Sequence, residues 1–354
     1  MKANVFEPAR FADLPGWSTD NLAEAASGVR ASCTRFRNQP AWKATCASLP
    51  AAQASPQVWR EHIERNYVPW RVAAVNGETS GLITGYYEPL LRGSRRREGA
   101  FQVPLYAPPD DLLVIDLSSI NPDLRNLRLC GRLDGKRVVP YFSRAEIERG
   151  VAPVAGKEIV WVDDAVEAFF LQVQGSGRVQ LPSGESMRLG YSDQNGHPYV
   201  SIGRVLIDQG DLTAGEATLQ GIQAWARSHP ERLNAVLDRN PSYVFFRELS
   251  IQDPAAGPPG AMGIPLVPMR SIAVDPRFIP LGAPVYLATT WPNREQPLER
   301  LVFAQDTGGA IRGAVRADFF WGFGAEAGEQ AGRMRQPGRL WMLWPAGFVP
   351  PAPQ

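Results

Sequence analysis

The stretch LVFAQDTGGAIRGAVRADFFWGFG, residues 301–324, decides the reading of this chain. Its opening residues, Leu301 to Ala304, are apolar and rich in strand formers, so RLVFAQDTG reads as a strand and its end. Asp306 closes that strand, and Gly308 and Gly309 follow, which let backbone approach closely and expose amide donors. Asp318 comes next, set against Phe319, Phe320 and Trp321, so its surroundings are apolar on at least one side. Desolvation raises a carboxyl pKa, and a neighbouring carboxylate raises it further. A carboxyl still protonated near neutral pH can act as a general acid. Each aspartate also has a plainer reading, because Asp at a strand end before Gly or Pro commonly serves a turn.

Working outward, β texture continues on both sides in SYVFFREL, VPMRSIAVD, PVYLATTW and RLWMLWP, with a short helical piece, GAEAGEQAGRM, before the last. Asp275, in AVDPRFIPLGAPVYL, ends an apolar strand before a proline turn. Upstream, residues 199–239 carry helical spacing in VSIGRVLIDQG, TLQGIQAWARS and PERLNAVLDRN, the last with Ser228 and Pro230 near its start. Residues 100–200 hold short strands, VVPYF, EIVWV and RVQLPSG; AVEAFFLQVQ fits a helix or a strand, and the alternation of Phe169, Leu171 and Val173 favours a strand. SGLITGYYEPLL is strand-like with a proline stop, and FQVPLYAPP follows the basic loop GSRRREG, which is either a crossing between domains or a solvated loop. Residues 18–75 read as helical. Asp20 precedes NLAEAASGVRASCTRF, and Ser55 precedes PQVWREHIERNYVPWRVA, with Pro56 at the first helical position and Val58, Ile63, Tyr67 and Val68 at helical spacings. The fold class is mainly β with flanking helices, in two β-rich parts. Parallel α/β alternation is absent, which excludes a doubly wound sheet.

Composition sets the outer bounds. A chain of 354 residues exceeds what one core usually serves, so two domains are expected. The 33 glycines and 32 prolines are spread along the chain, as short strands joined by turns require. A net charge of +1 draws the protein neither to nucleic acid nor to an anionic membrane. No apolar run reaches the roughly 18 residues of a spanning helix. The opening MKANVFEPARFADLPGW has no apolar signal core, so a cytoplasmic protein and an exported one whose leader is gone both stay open. Cys33 and Cys46 flank a helix and Cys130 lies far off; a disulfide between two of the three and three unrelated core cysteines fit equally well.

The chemistry narrows by elimination. His62, His197 and His229 sit in unrelated contexts, and no Cys or His pair has metal-ligand spacing, so no metal is expected. Neither a nucleophile elbow nor a phosphate-binding glycine loop occurs. Asp306-Thr307-Gly308 suggests an aspartic protease, but such an enzyme needs two such carboxylates sharing a proton, and this chain has one copy. Carboxylate chemistry remains, with no cofactor.

With these residues on the page, the chain resembles the membrane-bound lytic transglycosylase A family from about residue 80 onward. The resemblance is carried by TGYYEP (84–89), PYFSRAEIERG (140–150), LQVQGSG (171–177), GYSDQNGHPYVSIGRVLIDQG (190–210), NPSYVFF (240–246), AVDPRFIPLGAPVYL (273–287), QDTGGAIRGAVRADFFWGFG (305–324) and AGRMRQPGRLWML (331–343), all in order. It implies a double-psi β-barrel domain built from both chain ends, residues 1–99 with 241–354. A second β-rich domain, 100–240, would be inserted, with a substrate cleft between the two. The C-terminal part corresponds to the family's three-aspartate domain.

The resemblance also implies the reaction: cleavage, without water, of the β-1,4 bond between N-acetylmuramic acid and N-acetylglucosamine in peptidoglycan, leaving 1,6-anhydromuramic acid ends. Asp318 matches the single catalytic acid and base. Asp306 supports it, in part by like-charge repulsion that keeps Asp318 protonated, and Asp275 is architectural. Tyr86 and Tyr87 are expected as sugar platforms or core residues, Glu88 as a substrate contact or turn residue, and Gln172, Gln174 and Ser176 as partners of acetamido groups. Asn195 and His197 form a turn. The implied partners are peptidoglycan glycan strands and other cell-wall enzymes, with no nucleic acid. The membrane would be reached only through a lipid anchor. The implied location is the periplasm, anchored at the outer membrane in a full-length form; this chain shows neither leader nor lipid-bearing cysteine, its first cysteine being Cys33. A hydrolase on the same fold and a non-catalytic peptidoglycan-binding module are the competing readings.

Overall fold

The computed structural model describes residues 5–121, 124, 129–250 and 256–353. The chain begins with β1 (Phe6–Pro8), then helices α1 (Ala26–Phe36), α2 (Pro40–Ala47) and α3 (Pro56–Asn66), and strands β2 (Tyr67–Val72) and β3 (Gly81–Glu88). Strands β4 (Leu90–Ser94), β5 (Val103–Tyr106), β6 (Leu113–Ile115), β7 (Leu129–Asp134) and β8 (Arg137–Pro140) follow. Next come α4 (Arg144–Glu148), β9 (Glu158–Val162), α5 (Ala165–Gln174), β10 (Ser176–Gln180) and β11 (Ser186–Gln194). Helices α6 (Ile202–Asp208), α7 (Leu219–Ser228) and α8 (Pro230–Leu237) precede β12 (Val244–Leu249). The chain ends with β13 (Ser271–Val274), β14 (Pro284–Thr290), β15 (Pro297–Asp306), β16 (Ala317–Phe323), α9 (Gly324–Arg333) and β17 (Arg335–Pro345). Contacts group these into two compact units, Met1–Tyr87 with Asp253–Gln354, and Glu88–Gln252. The inserted unit therefore takes in more chain at both ends than residues 100–240.

In the first unit an eight-stranded sheet runs β1-β2-β17-β14-β15-β13-β16-β3, and a further pairing of β17 with β3 closes six of these strands into a ring. Helices α1 and α2 pack on its outside, α1 against β14 and β15 and α2 against β17. Strands covered on both faces lose the apolar–polar alternation. Accordingly Val285, Tyr286 and Leu287 are buried in succession, as are Leu301, Val302, Phe303 and Ala304. Cys33 of α1 is joined to Cys46 of α2 in a disulfide, which settles the open cysteine question.

The segment after Ser55 divides in two. Ser55 caps α3, its hydroxyl accepting from the Val58 amide at 3.4 Å, and the buried stripe is Trp59, His62 and Ile63, while Val58 faces solvent. Tyr67 and Val68, expected on the helix, open β2 and pair with Pro345 and Trp344 of β17. Pro69 explains the break, because the residue before a proline is pushed out of the helical region.

The second unit holds a six-stranded sheet, β12-β11-β10-β4-β9-β5, and a three-stranded one, β6-β7-β8. AVEAFFLQVQ, expected as a strand, is helix α5. Asp164 caps it by accepting from the amides of Val166 at 2.7 Å and Glu167 at 3.0 Å, and Gly175 ends it in the left-handed region. The alternation misled because α5 lies between two cores. Phe169 packs with Ile202, Leu206 and Trp225, whereas Leu171 packs with Val160, Leu189 and Phe246. Ser228 closes α7 rather than opening α8, whose first residue is Pro230.

Candidate active site

Three neighbouring strands bring the aspartates together. Asp318 on β16 lies opposite Ala273 of β13, and so does Asp306 on β15, from the other side. Asp306 reaches that position through a β-bulge: Ile272 pairs with Ala304 and Ala273 with Asp306, so Gln305 is skipped. Gln305 turns into the core, where its amide oxygen accepts from Ser271 Oγ at 2.6 Å. A bulge re-aims the residue beside it, and here that residue is the carboxylate.

Side chains alternate across a strand. On β16 this places Asp318 with Phe320, and turns Phe319 and Trp321 to the opposite face, where their rings lie 5.0 Å apart. The apolar neighbour on the Asp318 side is therefore Phe320 alone of the three. On β3 the same rule separates the two tyrosines. Tyr86 packs at a tilt against Phe320 with ring centres 5.2 Å apart and donates its hydroxyl to Asp306 Oδ2 at 3.1 Å. Tyr87 points the other way and packs against Gly328 of α9, where a Cβ would come within 2.9 Å of the ring. Of the expected pair of platforms, only Tyr86 shares the face of the aspartates.

Two further residues complete the cluster, and neither was singled out from sequence. Thr84, two residues before Tyr86 on β3, donates its hydroxyl to Asp318 Oδ1 at 2.5 Å. Arg316, just ahead of β16, donates from Nη2 to Thr84 Oγ1 at 2.9 Å, while its Nη1 is held by the carbonyls of Leu82 and Ala317. The available signal was period-two spacing in TGYYEP, which puts Thr84 and Tyr86 on one side. Asp306 is engaged at both oxygens: Oδ1 accepts from the amides of Ala261 and Thr307, each at 2.9 Å, and Oδ2 from Tyr86.

Burial governs the electrostatics. It pushes the Asp318 carboxyl up to about 6; the Thr84 hydroxyl and the Arg316 charge pull the other way, and Asp306 adds a smaller upward push. Like-charge repulsion is thus the minor cause of the raised value, and burial the major one. Asp306 is also raised by burial, against the pull of its two amide donors and Tyr86. The Tyr86 hydroxyl stays protonated because burial and both carboxylates hold its pKa well above the ordinary value. Such a cluster can release a proton from Asp318 near neutral pH and stabilise the carboxylate that remains.

Asp275 has a different setting. Burial pushes its carboxyl up, but Arg277, bonded at 2.6 and 2.9 Å, and the amides of Gly313 and Arg277 outweigh this and hold it low. The Gly313 amide is presented from a backbone at φ 115°, open only to glycine. Asp275 thereby ties down the loop between β15 and β16.

In the second unit, Glu88 is completely buried and ion-paired with Arg188 at 2.7 Å and Arg178 at 2.9 Å. The Gln172 side-chain oxygen accepts from the buried Arg144 at 2.6 Å and from the Val244 amide at 3.3 Å. Both groups are committed within the protein. Gln174, at the end of α5, and Ser176, at the start of β10, are half-buried. Asn195 does more than shape a turn: it donates to the carbonyls of Phe142 and Pro241 and accepts from the Tyr243 amide, pinning three segments. A separate cavity of about 790 Å³ lies along the β14–β15 hairpin, lined by Trp291, Asn293 and Gln336 among others, and none of the aspartates lines it.

A mainly β protein of two units, with two half-buried carboxyls on one sheet face, is the class that fold and site define. Comparison with known proteins narrows it. Residues 82–247 match the MltA specific insert domain and residues 270–344, which carry Asp275, Asp306 and Asp318, match the 3D domain. The chain is 32% identical to the membrane-bound lytic murein transglycosylase A of Escherichia coli (strain K12), over 77% of this chain and 68% of that protein. The crystal structure of MltA from Neisseria gonorrhoeae is 40% identical, covers 99% of this chain and 94% of its own, and superposes with a TM-score of 0.85. E. coli MltA with bound chitohexaose is 28% identical, with 96% and 94% covered and a TM-score of 0.72. The chain belongs to the membrane-bound lytic murein transglycosylase A family.

Proposed function

We propose that this enzyme is a lytic transglycosylase that cuts the β-1,4 bond between N-acetylmuramic acid and N-acetylglucosamine in peptidoglycan, with Asp318 as its one acid and base. The observation that carries this reading is a half-buried carboxyl with its pKa raised to about 6, backed by a hydroxyl and a guanidinium. Asp318 first gives its proton to the departing glycosidic oxygen while an oxocarbenium-like centre develops on the muramic ring. The carboxylate left behind is stabilised by Thr84 and Arg316. It then removes the proton from the muramic C6 hydroxyl, whose oxygen attacks C1 and closes the 1,6-anhydro ring. Atoms balance without water, since the proton given to the leaving group is replaced from the substrate.

A hydrolase needs a second carboxylate, as a base for water or as a nucleophile. Asp306 shares the face with Asp318, but amide donors take one of its oxygens and Tyr86 takes the other. That engagement favours a supporting role for Asp306 and an internal nucleophile from the substrate. Tyr86 offers an aromatic face for a sugar ring, and Asp275 serves the architecture of the loop. Gln174 and Ser176 remain as substrate contacts in this reading, and Glu88 and Gln172 do not.

The closed ring of β3, β17, β14, β15, β13 and β16, with β13 parallel to β15, supports a double-psi barrel. Glycan strands are the substrate, consistent with the chitohexaose bound by the E. coli relative. Other cell-wall enzymes are proposed partners. The relatives are membrane-bound by name, and among the described residues no helix is long and apolar enough to cross a membrane. We place the enzyme in the cell envelope, in the periplasm, held at the outer membrane by a lipid anchor. Mass spectrometry of sugars released from purified peptidoglycan tests the reaction. Anhydro-muropeptides from the native protein and none from Asp318→Asn are expected; reducing muramic ends would mean a hydrolase, and no release would mean a binding module.

A further inference from the structure

The hydrogen bonds behind Asp318 have a direction, because their members differ in what they can donate. A guanidinium only donates. With Arg316 Nη2 at 2.9 Å, Thr84 Oγ1 must accept, so the single proton of Thr84 is left for another partner. That partner is Asp318 Oδ1, 2.5 Å away. Arg316 cannot turn aside easily, since its second nitrogen is held by the carbonyls of Leu82 and Ala317. A carboxyl oxygen that accepts so short a bond is the weaker base of the two, so the proton favours the other oxygen. Among the described residues no protein group hydrogen-bonds Asp318 Oδ2.

We propose that Arg316 and Thr84 are positioning residues that confine the acid proton of Asp318 to Oδ2, so that one defined oxygen delivers it and later recovers it. The proposal rests on the reading of Asp318 as acid and base, and adds which of its oxygens reacts and what chooses it. It also gives the pair a role in both half-reactions. While Asp318 is protonated, the Thr84 bond keeps Oδ1 as the carbonyl oxygen. Once the proton has gone, the same bond becomes charge-assisted and steadies the carboxylate. The other titratable groups facing Asp318 are Asp306 from β15 and Tyr86 from β3; β13 presents only Ala273 opposite it.

The test is the pH–rate profile for release of anhydro-muropeptides by the native protein, Thr84→Val, Thr84→Ser and Asp318→Asn. Thr84→Val keeps the branched shape on β3 and removes the donor. Its turnover at the optimum is expected to fall at least about tenfold with little change in KM, the size of a lost hydrogen bond to a charged group. Its basic limb should move to higher pH, since Asp318 loses a group that favours its charged form. Thr84→Ser should restore both rate and limb. Arg316→Met, which frees the Thr84 hydroxyl to rotate, should reproduce the fall in turnover and serves if Thr84→Val does not fold. An unchanged profile in Thr84→Val, with Asp318→Asn inactive, would overturn the positioning role alone. Equal impairment in Thr84→Ser and Thr84→Val, at unchanged thermal midpoints, would overturn it too. Activity surviving in Asp318→Asn would remove the acid assignment, and this inference with it.

Discussion

Replacing Asp318 by Asn should abolish turnover and, at neutral and alkaline pH, make the folded chain more stable. The magnitude follows from the site. Burial raises the carboxyl from its ordinary 3.8 to about 6. Between these values the folded chain holds a proton that the unfolded chain has already released, so stability falls as pH rises. Each pH unit in that window corresponds to about 1.4 kcal/mol, so the ionised carboxylate costs about 3 kcal/mol above the window. Asn is neutral throughout, and its carbonyl can still accept from Thr84. The native protein and the variant should therefore be equally stable near about pH 4, diverge up to about pH 6, and stay about 3 kcal/mol apart beyond. Urea unfolding of both proteins across this range, compared by midpoint and slope, reads the difference directly. A gap that does not vary with pH, or a variant less stable than the native protein at about pH 8, would refute the reasoning.

Three further outcomes follow from other parts of the molecule. Glycan cleavage should decline on the basic side as Asp318 loses its proton around pH 6, and a rate still flat at about pH 9 would exclude a raised-pKa acid; the pH–rate profile of the native protein decides this. Glu88→Ala removes the buried carboxylate that pairs with Arg178 and Arg188 and should destabilise the inserted unit, seen as a lower denaturation midpoint, whereas a substrate contact would show as a raised KM at unchanged stability. Breaking the Cys33–Cys46 disulfide, which closes a loop with a sequence separation of 13, should lower stability by about 3 kcal/mol in Cys33→Ser, with the chemistry of Asp318 untouched.

Much of the fold was legible where local chemistry decides it. Apolar runs bounded by glycine and proline marked β14, β15 and β17, and a serine followed by proline marked the start of α3. Legibility failed where a distant partner decides. Tyr67 and Val68 carry helical spacing, but strand β17, far along the chain, claims them. Phe169 and Leu171 alternate as a strand would, yet each faces a separate core from one helix. β16 was not read as a strand because it is buried on both faces, which removes the apolar–polar alternation, and its Asp and Gly interrupt the apolar run.

The sequence by itself determined the family, through motifs held in order, the predominance of β structure, and the three aspartates from which a carboxyl site had to be built. Tertiary structure alone decided how those residues are used. It set Asp306 and Asp318 on either side of Ala273 through a bulge at Gln305, brought Thr84 and Arg316 behind Asp318, and left Tyr86 rather than Tyr87 beside it. It also closed Glu88 and Gln172 into ion pairs and hydrogen bonds of their own. The physical reason is common to all of these. Residue type fixes what a side chain can do, but pKa and hydrogen-bond direction depend on burial and on partners, and both come from contacts between segments apart in the chain, as far as the 234 residues that separate Thr84 from Asp318.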